Sequence, residues 1–239
     1  MSEFLEPFER MLASVARRDV SPDMRWQAIE DSGYLDALMP ENAGGAGLVL
    51  ANIEPLIRAL GRHAVTEPVA ETIAKRALGA DTLERPLAAV LAAAEIAGLA
   101  ERMLDMSLSY ANDRVQFGKP IGKLQAIQQQ LAVMAEQVLM ARMASQIGCS
   151  KGLHPPPEVA AVAKQVTSAA VPQITAIAHA VHGAIGITEE FDLQLYSRRM
   201  HALRLANGSE SYWAGILGRA RIAAANQSSV DFIRALRQL

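Results

Sequence analysis

Three cations, Arg114, Lys119 and Lys123, crowd into the run RVQFGKPIGK, and a concentration of positive charge on so short a segment suits a phosphate group. The segment lies where one apolar helical pattern stops and another starts. Phe117-Gly118-Lys119-Pro120 cannot continue a helix, because glycine is conformationally free and Pro120 lacks an N–H and disfavours helical geometry at Lys119. After Gly122, residues Leu124, Ile127, Leu131 and Met134 recur at the spacing of one helical face. The free N–H groups of a helix start favour anions, which places a phosphate at this junction. The same cations also suit the end of the preceding helix as solvated complements to its dipole, and spacing does not choose between the two.

The flanking patterns predict the helices that carry this junction. Phe4, Phe8, Met11, Leu12 and Val15 mark a first amphipathic helix ending near Arg18. Ser21-Pro22 reads as an N-cap followed by proline at the first helical position, and Gly33 closes that helix. MPENAGGAGL is a loop, Ala51–Leu60 a helix, and Thr66-Glu67-Pro68 starts another that ends at Gly79. A long helix over 86–113 and one over 124–151 should pack antiparallel. HPPP at 154–157 then sets up a third over 158–184, with a kink at Pro172. TEEFDLQLYSRRM reads as a short helix mixed with turns, ANGSES as a loop, and 212–226 and 230–239 as closing helices. No stretch shows repeated period-two alternation with hairpin turns, so the expected class is all-α, with an N-terminal helical region over 1–80 and a bundle over 84–239.

Composition bounds the chemistry. Of 239 residues 51% are apolar and only 5% aromatic, ample for a core of close-packed helices. A formal net charge of −2 gives no electrostatic case for nucleic acid. The single cysteine, Cys149, excludes an intrachain disulfide and reads as a small packed residue. LAAVLAAAEIAGLA comes closest to a membrane segment but is interrupted by Glu95, so the expectation is a buried helix in a cytoplasmic protein with no membrane partner. No Glu-x-x-His pair stands among the five histidines, so no di-iron site is expected and no metal site is assigned. Neither a Gly-x-Gly-x-x-Gly run, nor a Walker loop, nor a serine nucleophile elbow is present.

YANDRVQFGKPIGKLQAIQQQLAVMA resembles the Tyr-Ala…Arg-x-x-Phe-Gly…Gln-Ala…Leu-Ala-x-Met run in the C-terminal bundle of acyl-CoA dehydrogenases. HAVHGAIGITEEFDLQLYSRRMHALRLANGSES is similar to the later Gln-Val-His-Gly-Gly-Ile-Gly stretch of that family and the loop after it. The resemblance implies that Arg114 contacts the FAD diphosphate of a neighbouring subunit, that Phe117 lies near the adenosine half and that Gln125 hydrogen-bonds the cofactor. A forked guanidinium suits a diphosphate because it bonds two oxygens at once. Gly183 and Gly186 keep the glycine-rich stretch open to close backbone approach, and Ser209 falls in the following loop among the implied cofactor contacts. Alanine stands at 180 and 184 where the family pattern has Gln and Gly. A helix C-cap at Gly183 or Gly186 explains the surviving glycines equally well. His182 reads as a packed or capped histidine.

In that family a β-rich middle domain separates the N-terminal helices from the bundle, and here Gly79-Ala80-Asp81-Thr82-Leu83 leaves no room for it. The reaction needs a carboxylate base that removes the α-proton of an acyl thioester while hydride leaves the β-carbon for the flavin. Asn207 occupies the commonest base position, Asn207-Gly208-Ser209, and no carboxylate stands near Ala88, where other relatives place it. Glu210 and Glu84 are the remaining weak candidates, each also readable as a solvated glutamate at a helix start. Glu95 faces the core or pairs with Arg102 or Arg198. The resemblance therefore implies a subunit of a heteromeric acyl-CoA dehydrogenase, as in members acting on steroid-derived CoA thioesters, sharing FAD with a full-length partner or a second copy of itself. A cofactor-free oligomerisation protein derived from the family and an autonomous dehydrogenase are the alternatives.

Overall fold

Start and stop signals account for most of the observed helix ends. In the computed structural model, which describes residues 2–16 and 20–238, α1 spans Ser2–Val15 and α2 Pro22–Asp31. The Ser21 side chain accepts from the Met24 N–H, and Gly33 (φ 75°) ends the segment in the left-handed region. The expected end of α1 near Arg18 lies outside the described residues, as does Leu239 at the close of the last helix. α3 (Leu50–Arg62) and α4 (Val69–Leu78) follow, α4 ending at Gly79 with φ 60°. MPENAGGAGL is a loop apart from a single 3₁₀ turn, Glu41–Ala43.

The bundle consists of α5 (Arg85–Asp113), α6 (Gln125–Cys149), α7 (Pro157–His182), α8 (Leu193–Leu205), α9 (Glu210–Ala223) and α10 (Ser229–Gln238). α5, α6 and α7 pack mutually, α8 and α9 cover α7, and α3 lies along α5. Val115–Gln116 (β1) pairs antiparallel with Lys119–Pro120 (β2), a two-residue ladder that is the only sheet among the described residues. The all-α expectation holds, with that hairpin added.

One expectation holds and one is corrected. Within 188–200, read as a short helix mixed with turns, turns occupy 188–192, and α8 then runs as a regular helix of 13 residues because Leu193, Tyr196, Met200 and Leu203 form one buried face. By length and hydropathy alone the helix able to cross a membrane is the one over 157–187, not LAAVLAAAEIAGLA. Its central place against α5, α6, α8 and α9 accounts for that apolarity. α7 runs unbroken through Pro172, where the missing N–H leaves the Ser168 carbonyl without its helical donor.

The join between α3 and α5 is close. A β-carbon on Gly98 would stand 1.9 Å from the Arg58 carbonyl oxygen, and one on Gly61 would stand 2.2 Å from that of Glu95. Only glycine permits this approach. Around the crossing, Arg58 bonds Glu54 (2.9 Å) and Glu101 (2.5 Å), and the buried Ser145 hydroxyl of α6 donates to Glu54 (2.6 Å). The pairing keeps Arg58 fully charged despite its burial. A continuous apolar core then runs from Phe8 and Leu12 through Ile57 and Leu60 to Val90, Cys149 and Trp213.

Candidate functional site

The junction that opened the sequence reading is one wall of a cleft of about 500 Å³. α5 ends there because Arg114 leaves helical geometry (φ −76°, ψ 115°), and the chain then turns back through Phe117 and Gly118, both at positive φ. The backbone N–H of Ile121 returns to the Arg114 carbonyl at 2.8 Å, which closes the hairpin. Opposite lies the end of α7, where Gly183 takes φ 62° and ψ −139°, a conformation that essentially only glycine adopts. Nothing lies within 4 Å of the place where a Gly183 β-carbon would sit, so backbone approach is open.

Arg114 and Gly183 thus face one space although they are far apart in the chain. Arg114 is exposed, and its guanidinium pairs with no carboxylate among the described residues. Ala180 and Ala184 line the same wall. Beside them His182 is 2% exposed and stacks against Tyr110 and Phe191, with centroids 4.6 Å and 4.9 Å away. Its Nδ1 donates to the Ala178 carbonyl at 2.7 Å, and burial holds its pKa below the usual histidine value. The ring is therefore neutral and packed at pH 7. Its Nε2 is buried without a hydrogen-bond partner.

The other implied contacts lie outside this cleft. Phe117 is 86% exposed at the hairpin tip with φ 54°, and Gln125 is exposed at the first position of α6. Lys119 and Lys123 are likewise exposed and do not line it. Ser209 belongs to the loop between α8 and α9, where its hydroxyl caps α9 by accepting from the Tyr212 N–H. Gly186 packs against His182 and Leu193.

The loop over 206–209 brings together the two places where the resemblance looks for a base. Asn207, at φ 58°, directs its Nδ2 at the Ala88 carbonyl, 3.4 Å away. The Trp213 indole N–H donates to the Asn207 carbonyl at 3.1 Å. Neither position supplies a carboxylate. Glu84 is exposed at the start of α5. Glu210 is engaged by both Nε and Nη2 of Arg204, which holds its carboxyl below the usual glutamate range and makes it a poor proton acceptor. Glu95 is 7% exposed and bonds Arg199 at 2.9 Å, not Arg102 or Arg198. The helical turn of about 100° per residue puts Arg199 toward α5 and leaves Arg198 in solvent.

Sequence reasoning passed over Lys164. This lysine is fully buried beneath the loop, its Nζ donating to Ser168 Oγ (2.8 Å), the Arg204 carbonyl (2.8 Å) and the Gly208 carbonyl (3.1 Å). The signal was legible in EVAAVAKQVTSAAV, where a lone cation interrupts an apolar helix. Among the described residues no group of three or more His, Cys, Asp or Glu is placed to hold a metal ion.

Known proteins share this fold and parts of this sequence. Acyl-CoA dehydrogenase IpdE2 of Mycolicibacterium smegmatis is 40% identical over 124 residues, which are 52% of this chain and 39% of that protein, so the match spans about two fifths of the relative's length. A chain of a Tcur3481-Tcur3483 steroid ACAD variant superposes with a TM-score of 0.81 at 16% identity, covering 95% of this chain and 98% of that one. A chain of the ChsE4-ChsE5 complex from Mycobacterium tuberculosis gives 0.76 at 16%, covering 93% and 96%. At such identity these two show the fold alone, but they show it from end to end, without a middle sheet domain. Residues 82–222 match the model of the acyl-CoA dehydrogenase C-terminal domain, and the chain belongs to the acyl-CoA dehydrogenase family.

Proposed function

We propose that the chain is one subunit of a heteromeric, FAD-dependent acyl-CoA dehydrogenase, in which it completes a flavin site held mainly by a full-length partner. The observation that carries this reading is the contact of Asn207 with Ala88, because both base positions are occupied and neither can accept the α-proton. The cleft at the other end of α5 keeps groups that the resemblance assigns to a cofactor. Arg114 offers to a diphosphate a forked cation that pairs with no carboxylate among the described residues, and Gly183 lets backbone approach it closely. These groups suit the diphosphate end of FAD, and bound flavin would supply the hydride acceptor.

Two further surfaces fit a partnered chain. Phe117 pays a strained backbone to stand in solvent at the hairpin tip, where Val115 is 58% exposed beside it. Leu139, Met140 and Met143 are exposed together on α6. In this reading residues 1–80 form a helical region docked on a bundle of residues 84–239, and the substrate is a CoA thioester processed at Cα–Cβ.

The test is co-expression with a full-length acyl-CoA dehydrogenase-like partner. Flavin should co-purify with the complex, and Arg114→Ala should weaken FAD retention by about 30- to 150-fold, the value of a charge-assisted bidentate contact of about 2–3 kcal/mol. Stoichiometric FAD and turnover in the chain alone would overturn the proposal. A cofactor-free oligomerisation protein, favoured by the replacements at Ala180, Ala184 and Asn207 and opposed by the intact RVQFG loop, predicts unchanged flavin content in Arg114→Ala.

A further inference from the structure

We infer that Lys164 is the positioning residue of the 206–209 loop, a latch that references Asn207 and Gly208 to the central helix α7. The loop needs such a device because its geometry is not one the chain adopts freely. Asn207 (φ 58°) and Gly208 (φ 104°) are consecutive positive-φ residues, and asparagine holds that conformation at a cost. Three hydrogen bonds hold these residues: the Trp213 indole donates to the Asn207 carbonyl, the Asn207 amide to the Ala88 carbonyl, and the Lys164 ammonium to the Gly208 carbonyl. The same ammonium also bonds the Arg204 carbonyl in the last turn of α8, before the bend. Lys164 therefore bonds the chain on both sides of the bend, and the Arg204–Glu210 ion pair links the two helices that flank the loop.

The environment suits an amine rather than a salt bridge. Lys164 is fully buried, and a lysine in that position is rare unless its donors are used. Its partners are two carbonyls and the Ser168 hydroxyl. Glu210 and Arg204, the charged groups facing it from α9 and α8, act on it with opposite sign, and burial pushes its pKa down to about 8. Losing the proton does not release the latch: a neutral amine still donates to both carbonyls and accepts from Ser168 Oγ–H. An apolar residue at 164 would leave both carbonyls without this donor inside the fold.

What the loop faces in an assembled enzyme rests on the function proposed above; the latch itself does not. Hydrogen exchange on the full chain tests it. In Lys164→Met, exchange over 204–210 should rise at least tenfold and Trp213 emission, read in a Trp26→Phe background, should move to the red. Exchange in α3 and α6 should stay unchanged. Ser168→Ala, which keeps the lysine and removes one partner, should give a smaller increase over the same residues and decides the matter if Lys164→Met does not fold. Unchanged exchange over 204–210, or an increase spread evenly over all helices, would overturn the proposal. In the co-expressed complex Lys164→Met should raise KM for the acyl-CoA with flavin content intact, whereas Arg114→Ala should lose flavin with loop exchange intact, so the two ideas fail separately.

Discussion

The cleft around Arg114 and the loop around Asn207 lie at opposite ends of α5, and they are built on opposite principles. The cleft is open: its cation is exposed and pairs with no described carboxylate, and its glycine has empty space on the side where a β-carbon would be. The loop is closed: its polar atoms are tied to Ala88, Trp213 and Lys164, and its nearest carboxylate is spent on Arg204. An open group is available to a ligand, while a satisfied one is available only to its own fold. The cleft therefore has groups free to meet an anion, whereas the loop has neither a free polar group nor a carboxylate free to accept a proton.

Three substitutions sharpen that contrast. The largest effect belongs to Gly208→Ala, whose β-carbon would fall 2.7 Å from Tyr212 Cδ1 and 2.8 Å from Trp213 Nε1 at a φ of 104°. Trp213 is 1% exposed and has nowhere to go, so a loss of about 2–4 kcal/mol is expected in denaturant unfolding. Gly183→Ala meets no atom within 4 Å, so its penalty is backbone strain alone, about 2 kcal/mol, seen as a fall in Tm of roughly 4–8 °C. If the two glycines cost the same, the open and closed descriptions are wrong. Glu210→Gln is the smallest, up to about 1 kcal/mol, because the Arg204 pair is partly solvated. Since Arg204 depresses the Glu210 pKa, the pair stabilises the fold above the ordinary glutamate value of about 4.3, and the benefit disappears as pH falls through the depressed value. Wild type and Glu210→Gln should therefore differ in urea midpoint at pH 7 and converge in acid. Activity of the co-expressed complex should be unchanged by that substitution.

Much of the scaffold was legible from local chemistry. Ser21-Pro22, Gly79 and the break at 117–120 each act within one turn of chain, so their consequences can be read without knowing the fold. The site was less legible, because its parts depend on helix azimuth and on contacts across the bundle. Arg198 and Arg199 differ by one position, yet only one reaches Glu95. Nothing in the spacing says that Gly183 returns to face Arg114. Lys164 is the clearest case: its burial is set by the ends of α8 and α9, elements that follow it by some 40 residues.

The glycine crossing of α3 on α5 also bears on how such a chain comes to exist. Helices on either side of residues 79–84 already grip each other backbone to backbone, through Gly61 and Gly98. A sheet module inserted at that turn, or removed from it, would leave this grip untouched. Such a join holds the two helical regions together whatever length of chain connects them.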